Sequence, residues 1–161
     1  NILGPLTNPA GARRQVMGVA DPRLLPLVVG ALHELGQERA LVVHGARGMD
    51  EISPAGPTQV AELSGGRIQR YEVAPGDLGL PEADLSELEG GSPEENAATI
   101  RAVLDGEPGG PRTATLLNAA AAIYVAGRAS SLEEAVTVAA AAVDEGRAKD
   151  ALVRLSAASN G

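Results

Sequence analysis

The stretch QVMGVADPRLLPLVVGALHELGQERALVV, residues 15–43, decides the fold. QVMGVA is a short apolar run of strand length. Asp21 can accept from the free N–H groups of a helix start, and Pro22 suits the first helical position. Leu24, Val28, Ala31, Leu32 and Leu35 recur at helical spacing, and Gly36 supplies the stop. Pro26 does not fit a helix interior, so the regular helix is expected to begin near Leu25. Residues 39–43, RALVV, are continuously apolar at their end, as in a strand covered on both faces. Strand, helix and strand in roughly 30 residues make a βαβ unit with a right-handed crossover. The predicted class is α/β, with a parallel or mixed sheet.

Outward from that unit, NILGPLTNPAGA (1–12) is rich in Gly, Pro and Asn and reads as a loop or hinge. TQVAEL (58–63) and RIQRYEV (67–73) flank Ser-Gly-Gly and predict an antiparallel hairpin. Residues 74–91 read as an exposed connection carrying several carboxylates. Ser92-Pro93-Glu94-Glu95 is a capping box opening a helix that Gly106 ends. A second C-terminal helix is expected from near Pro111 to Gly127. A third is capped by Ser130 and Ser131 and stopped by Gly146, and an amphipathic one covers roughly 147–158. The alanine runs at 119–122 and 139–142 read as close helix packing.

At 161 residues the chain is long enough to bury a core. Thirteen basic against 21 acidic residues give a net charge of −8, which disfavours nucleic acid and anionic membrane as partners. Without cysteine, disulfides and thiolate metal sites are excluded, and a cytoplasmic setting is expected. No apolar run reaches the ~18 residues of a membrane span. With no Phe or Trp and only two Tyr, the core must rest on Leu, Val, Ile and Ala. A first residue other than Met, set inside an apolar and glycine-rich string, suggests a piece of a longer protein.

In parallel α/β sheets ligands gather beyond the carboxyl ends of the strands. His44, Gly45, Asp50 and Glu51 of HGARGMDE (44–51) fall there. Consecutive residues in a strand face opposite ways, so Asp50 and Glu51 could share a site only from a loop, which Gly45 and Gly48 permit. Mg²⁺ takes one or two carboxylates and shares its remaining positions with waters and phosphates. On spacing alone the pair fits either such a cation or a solvated turn. His44 could polarise a substrate or simply pack at the strand end. Arg13 and Arg14 could meet a phosphate or lie in solvent. Nucleophile-and-base pairs, a glycine-rich phosphate loop and zinc spacings are all absent from the sequence.

The segments NILGPLTNPA, QVMGV, VVHGARGMDEIS and GGSPEENA, in this order and spacing, resemble the carboxy-terminal half of the anthranilate phosphoribosyltransferase family. The resemblance implies a nucleoside-phosphorylase-like glycosyltransferase fold. It further implies transfer of a phosphoribosyl group from phosphoribosyl pyrophosphate to anthranilate, with release of pyrophosphate, in tryptophan biosynthesis. It implies Mg²⁺ held by Asp50 and Glu51, an anthranilate path lined by Gly4 and Pro5 with Asn1 as a further candidate, and a homodimer of the full-length enzyme. It also implies that residues 13–161 are the C-terminal part of the glycosyltransferase α/β domain. The helical domain, phosphate-binding loop and anthranilate-binding arginine would precede Asn1, so these 161 residues alone are expected to be inactive. Two alternatives stand beside it: a non-catalytic nucleic-acid-binding paralogue of the same fold, and a related nucleoside phosphorylase.

Overall fold

The structure of the chain, a computed structural model, describes residues 3–159. Its strands are β1 (Arg14–Gly18), β2 (Arg39–His44), β3 (Thr58–Ser64) and β4 (Arg67–Val73), hydrogen-bonded in that order into one sheet. Its α-helices are α1 (Leu3–Leu6), α2 (Leu25–Glu34), α3 (Pro93–Leu104), α4 (Gly110–Val125), α5 (Leu132–Asp144) and α6 (Arg147–Ser159). β1 and β2 are parallel, with Val16 opposite Leu41; β3 and β4 each run antiparallel to the strand before them. The sheet is therefore mixed, and the α/β class read from residues 15–43 holds. Among the described residues no helix is long and apolar enough to cross a membrane.

The crossover forms as its sequence dictates. The Asp21 carboxylate accepts the Arg23 N–H at 2.9 Å, a single 3-10 turn runs over Pro22–Leu24, and α2 then starts at Leu25. Pro26 sits in the first turn, where its missing N–H has no partner to lose. Leu25, Val28, Val29 and Leu32 face the sheet, whereas Leu35, just past the helix end, is 58% exposed and not part of the buried stripe. In β2, Ala40 and Val42 meet α2 on one face, and Leu41 and Val43 meet α4 and α5 on the other. All four are at most 1% exposed. Burying a side chain such as Leu41 or Val43 is worth about 1.5–3 kcal/mol, which makes β2 the hub of both cores. Ala120 and Ala121 of α4, both 0% exposed, and Ala139 of α5, 3% exposed and clustered with Leu116 of α4, give the close helix packing expected of the alanine runs. The hairpin turns through Gly65 (φ 55°) and Gly66 (φ 75°), a pair of left-handed residues suited to a two-residue loop.

Two expectations need correction. Within 1–12 the chain is not wholly loop: Leu3–Leu6 form one helical turn, closed by Thr7, whose N–H and hydroxyl both donate to the Leu3 carbonyl. Pro5 does not prevent it, since a helix start requires few backbone donors. Residues 74–91 are not simply exposed. They carry two 3-10 turns, Pro75–Leu78 and Leu85–Leu88, and Pro75 and Leu78 are buried, Leu78 joining the core beside α4 and α5.

The scarce aromatics converge on one carboxylate. Tyr71 of β4 donates to Glu62 Oε2 at 2.9 Å and Tyr124 of α4 donates to Oε1 at 2.8 Å. Arg39 lies over the Tyr124 ring at 3.7 Å and reaches Glu62 Oε1 at 3.7 Å. The Glu62 side chain is only 12% exposed, so β3, which reads as alternating, hides a charge on its inner face. Burial, followed by the charge of Glu62, pushes the Tyr71 phenol above its ordinary range; burial, followed by its bond to Glu62, raises Tyr124. Because the chain has two Tyr and no Trp, an ultraviolet titration reads these phenols alone. The folded chain is expected to withhold its phenolate signal as pH passes about 10, the free-tyrosine value. Above that pH the unfolded chain releases protons that the folded one keeps, so stability should fall as pH rises, with no such effect below it. Phenolate appearing near pH 10 with the fold intact would show that the cluster is open to solvent.

Candidate functional site

β1 and β2 end side by side, and the turns that leave these two ends shape the site. After His44, the Gly45 N–H donates to the Met49 carbonyl at 2.8 Å and closes a small loop. Arg47 (φ 60°) takes the left-handed conformation inside a 3-10 turn, Ala46–Gly48. The chain then presents Asp50 and Glu51, both exposed, before turning inward at Ile52 and Ser53, which are 1% and 0% exposed. The backbone beneath the two acids is closely fitted. A Cβ added to Gly18 would stand 1.5 Å from the Asp50 carbonyl oxygen, and one added to Gly45 would stand 2.4 Å from that of Glu51. The acid pair thus rests on the bare backbone of both strand ends. On the far side, Asn118 of α4 pairs with Ile52: the Ile52 N–H donates to Oδ1 at 2.9 Å, and Nδ2 donates to the Ile52 carbonyl at 3.0 Å.

His44 takes the packing role. Its Nδ1 lies 2.8 Å from the Val19 carbonyl, and since a carbonyl only accepts, Nδ1 carries the proton. Arg13 and Arg14 are occupied as well. Both pair with Glu38, at 3.3 and 3.1 Å, and Arg14 Nη1 donates at 2.8 Å to the Ala126 carbonyl at the end of α4, where a cation offsets the helix dipole.

A groove of about 630 Å³ runs along the outer side of β1. Pro5, Met17, Gly18, Leu24, Asp21 and Asp50 are among its walls. The Arg23 guanidinium pairs with the Asp21 carboxylate at 2.6 Å and holds its carboxyl down to about 2, so among the described residues Asp50 is the acid of this wall left without a cation. The groove brings together two residues 45 positions apart in sequence, Pro5 and Asp50. Glu51 adjoins Asp50 without lining the groove, Gly4 lies exposed on α1 beside Pro5, and Asn1 falls outside the described residues. Among the described residues no group of three or more acid, histidine or cysteine side chains could cage a metal. Two exposed carboxylates on a rigid backbone fit a hard cation that keeps several waters and takes its remaining ligands from a phosphate, which is how Mg²⁺ binds.

Sequence reasoning missed Gly18 and Asn118. A signal existed for the second: Asn118 interrupts the otherwise apolar run LLNAAAA, and an asparagine facing a helix's packed side needs a partner.

The α/β domain of a glycosyl transferase family matches residues 1–149 of the chain. The chain belongs to that glycosyl transferase family. Among relatives of this α/β glycosyl transferase domain, the anthranilate phosphoribosyltransferase of Parvibaculum lavamentivorans is 51% identical over 161 residues, covering 100% of this chain and 47% of the relative. That of Caulobacter vibrioides is 51% identical over 160 residues, covering 99% of this chain and 47% of the relative. The chain therefore spans about half the length of these curated relatives. The crystal structure of anthranilate phosphoribosyltransferase from Thermus thermophilus superposes with a TM-score of 0.86 at 44% identity, over 95% of this chain and 45% of that one. The Saccharomyces cerevisiae enzyme in complex with PRPP and Mg superposes at 0.81 and 27% identity, over 93% and 44%. The glycosyl transferase likeness agrees with the resemblance carried by LGPLTNPA and MDEIS.

Proposed function

We propose that this chain is the C-terminal part of an anthranilate phosphoribosyltransferase, which transfers the phosphoribosyl group of phosphoribosyl pyrophosphate to anthranilate in tryptophan biosynthesis. The observation that carries the reading is the groove whose walls include both Pro5 and Asp50, in a chain about half identical to enzymes of that name along its whole length. In this reading residues 1–12 are the hinge, and 13–161 complete an α/β domain begun elsewhere in a longer, cytoplasmic, homodimeric protein.

The reaction forms a bond from the anthranilate nitrogen to the anomeric carbon, breaks the bond from that carbon to pyrophosphate, and releases a proton from the amine. Asp50 and Glu51 hold Mg²⁺, which when bound supplies charge to offset the departing pyrophosphate. Pro5, with Gly4 beside it, forms the wall along which anthranilate approaches, and Asn1, a further candidate by sequence, lies outside the described residues. An aromatic amine is already a nucleophile, so the residues' work is alignment rather than proton abstraction. The two alternatives have less support: the net charge of −8 opposes nucleic acid, and the Parvibaculum and Caulobacter relatives transfer to anthranilate by name.

The test is an assay of the longer protein with anthranilate, phosphoribosyl pyrophosphate and Mg²⁺, following pyrophosphate release. Turnover is expected from it and none from the 161 residues alone. Transfer to a nucleobase with anthranilate left untouched would overturn the reading.

A further inference from the structure

We propose that Asn118 is a positioning residue for the metal corner; the inference rests on the reading of Asp50 and Glu51 as the Mg²⁺ ligands. The side-chain amide of Asn118 engages both backbone groups of Ile52, the residue that directly follows Glu51, at 2.9 and 3.0 Å. Two opposed hydrogen bonds to one residue fix its rotation as well as its position, much as a strand partner would. The amide is itself fixed, since Nδ2 also donates to the Ala114 carbonyl of the preceding helical turn at 3.0 Å. Ile52 is 1% exposed and belongs to the core shared with Leu41, Val43 and Leu117, so it cannot follow the acids outward. From the other side the Asp50 and Glu51 carbonyls press on Gly18 and Gly45. The acid pair is therefore held between two strand ends and one helix, and Asn118 is the only polar side chain in that hold among the described hydrogen bonds to residues 50–52. Residues behind metal ligands commonly govern affinity through orientation alone.

The test uses the longer protein. Asn118→Ala is expected to raise the Mg²⁺ concentration for half-maximal turnover by about tenfold or more, with the KM for anthranilate unchanged. Calorimetric titration of Mg²⁺ in the presence of phosphoribosyl pyrophosphate should show the same loss, and the Ile52 amide should exchange with solvent faster. Asn118→Ser, a smaller truncation that keeps a neutral polar group, is expected to shift the Mg²⁺ response in the same direction by less than Asn118→Ala, and it decides the matter if the alanine variant does not fold. On an Asp50→Asn/Glu51→Gln background, Asn118→Ala should add almost nothing to the loss of Mg²⁺ response. A folded Asn118 variant with faster Ile52 exchange but wild-type Mg²⁺ affinity would overturn the proposal while leaving the acid pair's role intact. Unchanged Mg²⁺ dependence in the acid-pair variant would instead remove the reading on which it rests.

Discussion

Replacing Asp50 with Asn and Glu51 with Gln together, in the longer protein, is expected to lower Mg²⁺-dependent turnover by about 10²-fold or more, while anthranilate binding changes little. The magnitude is that of removing a preorganised electrostatic contact from a developing negative charge. Neither carboxylate is engaged by a cation or an N–H donor in the described structure, so neutralising them breaks no internal bond and should leave the fold unharmed. That separates the pair from Glu62, whose loss would strand Arg39 and two tyrosine hydroxyls. Steady-state kinetics against Mg²⁺ and against anthranilate, with the denaturation midpoint as a control, test the expectation. A variant with normal Mg²⁺ dependence would return the two acids to the role of a solvated turn.

The second large effect is expected at Gly18. A methyl group there would stand 1.5 Å from the Asp50 carbonyl oxygen and 2.3 Å from its carbon, and the obstacle is backbone that cannot rotate away. Gly18 has no left-handed φ, so the cost of Gly18→Ala comes from overlap and not from conformation. Overpacking of this kind costs about 1–3 kcal/mol, and a backbone obstacle argues for the upper end. The same substitution at Gly30, inside α2 with nothing within 4 Å of its Cβ position, should stabilise by about 1 kcal/mol through helix propensity. Chemical denaturation of the two variants should show opposite signs. Gly18→Ala should also weaken the Mg²⁺ response, because the displaced atoms belong to Asp50. Two variants of equal stability would show that the two strand ends are not as tightly joined as described.

What could be read in the residues was whatever local chemistry determines. Asp21-Pro22 opened the crossover, Ser92 and Ser131 capped α3 and α5, and Gly65-Gly66 turned the hairpin, each through bonds a few positions long. The run at 40–43 announced a strand buried on both faces because no polar residue interrupts it. Of the candidate site, the residues themselves pointed to Asp50 and Glu51, whose side chains have no structural duty among the described residues, while Gly4, Pro5 and Asn1 came only from the family resemblance. The supports of the site lay beyond local reasoning: Gly18 and Asp50 meet across 32 positions, and Ile52 and Asn118 across 66. Glu62 was hidden for a related reason. Its place in TQVAELS suits a half-exposed strand position, and the residues that bury it come from β2, β4 and α4. The helical turn at Leu3–Leu6 escaped notice because Gly and Pro, which usually mark loops, are both tolerated in a single first turn.

The two walls of the groove differ in mechanical stiffness. Displacing Asp50 means deforming a closely packed backbone, so that wall yields little to a load. On the Pro5 side, the hydrogen bonds of residues 3–11 stay within the segment, from Thr7 to Leu3 and Gly4 and from Ala10 and Gly11 to Asn8, and only Leu6 packs, partly buried, on the core behind α2. The Asp50 side is thus the stiff wall of the groove and the Pro5 side the compliant one. On the proposed reading, acceptors of different size would be accommodated by the Pro5 side, with the Asp50 corner held in place.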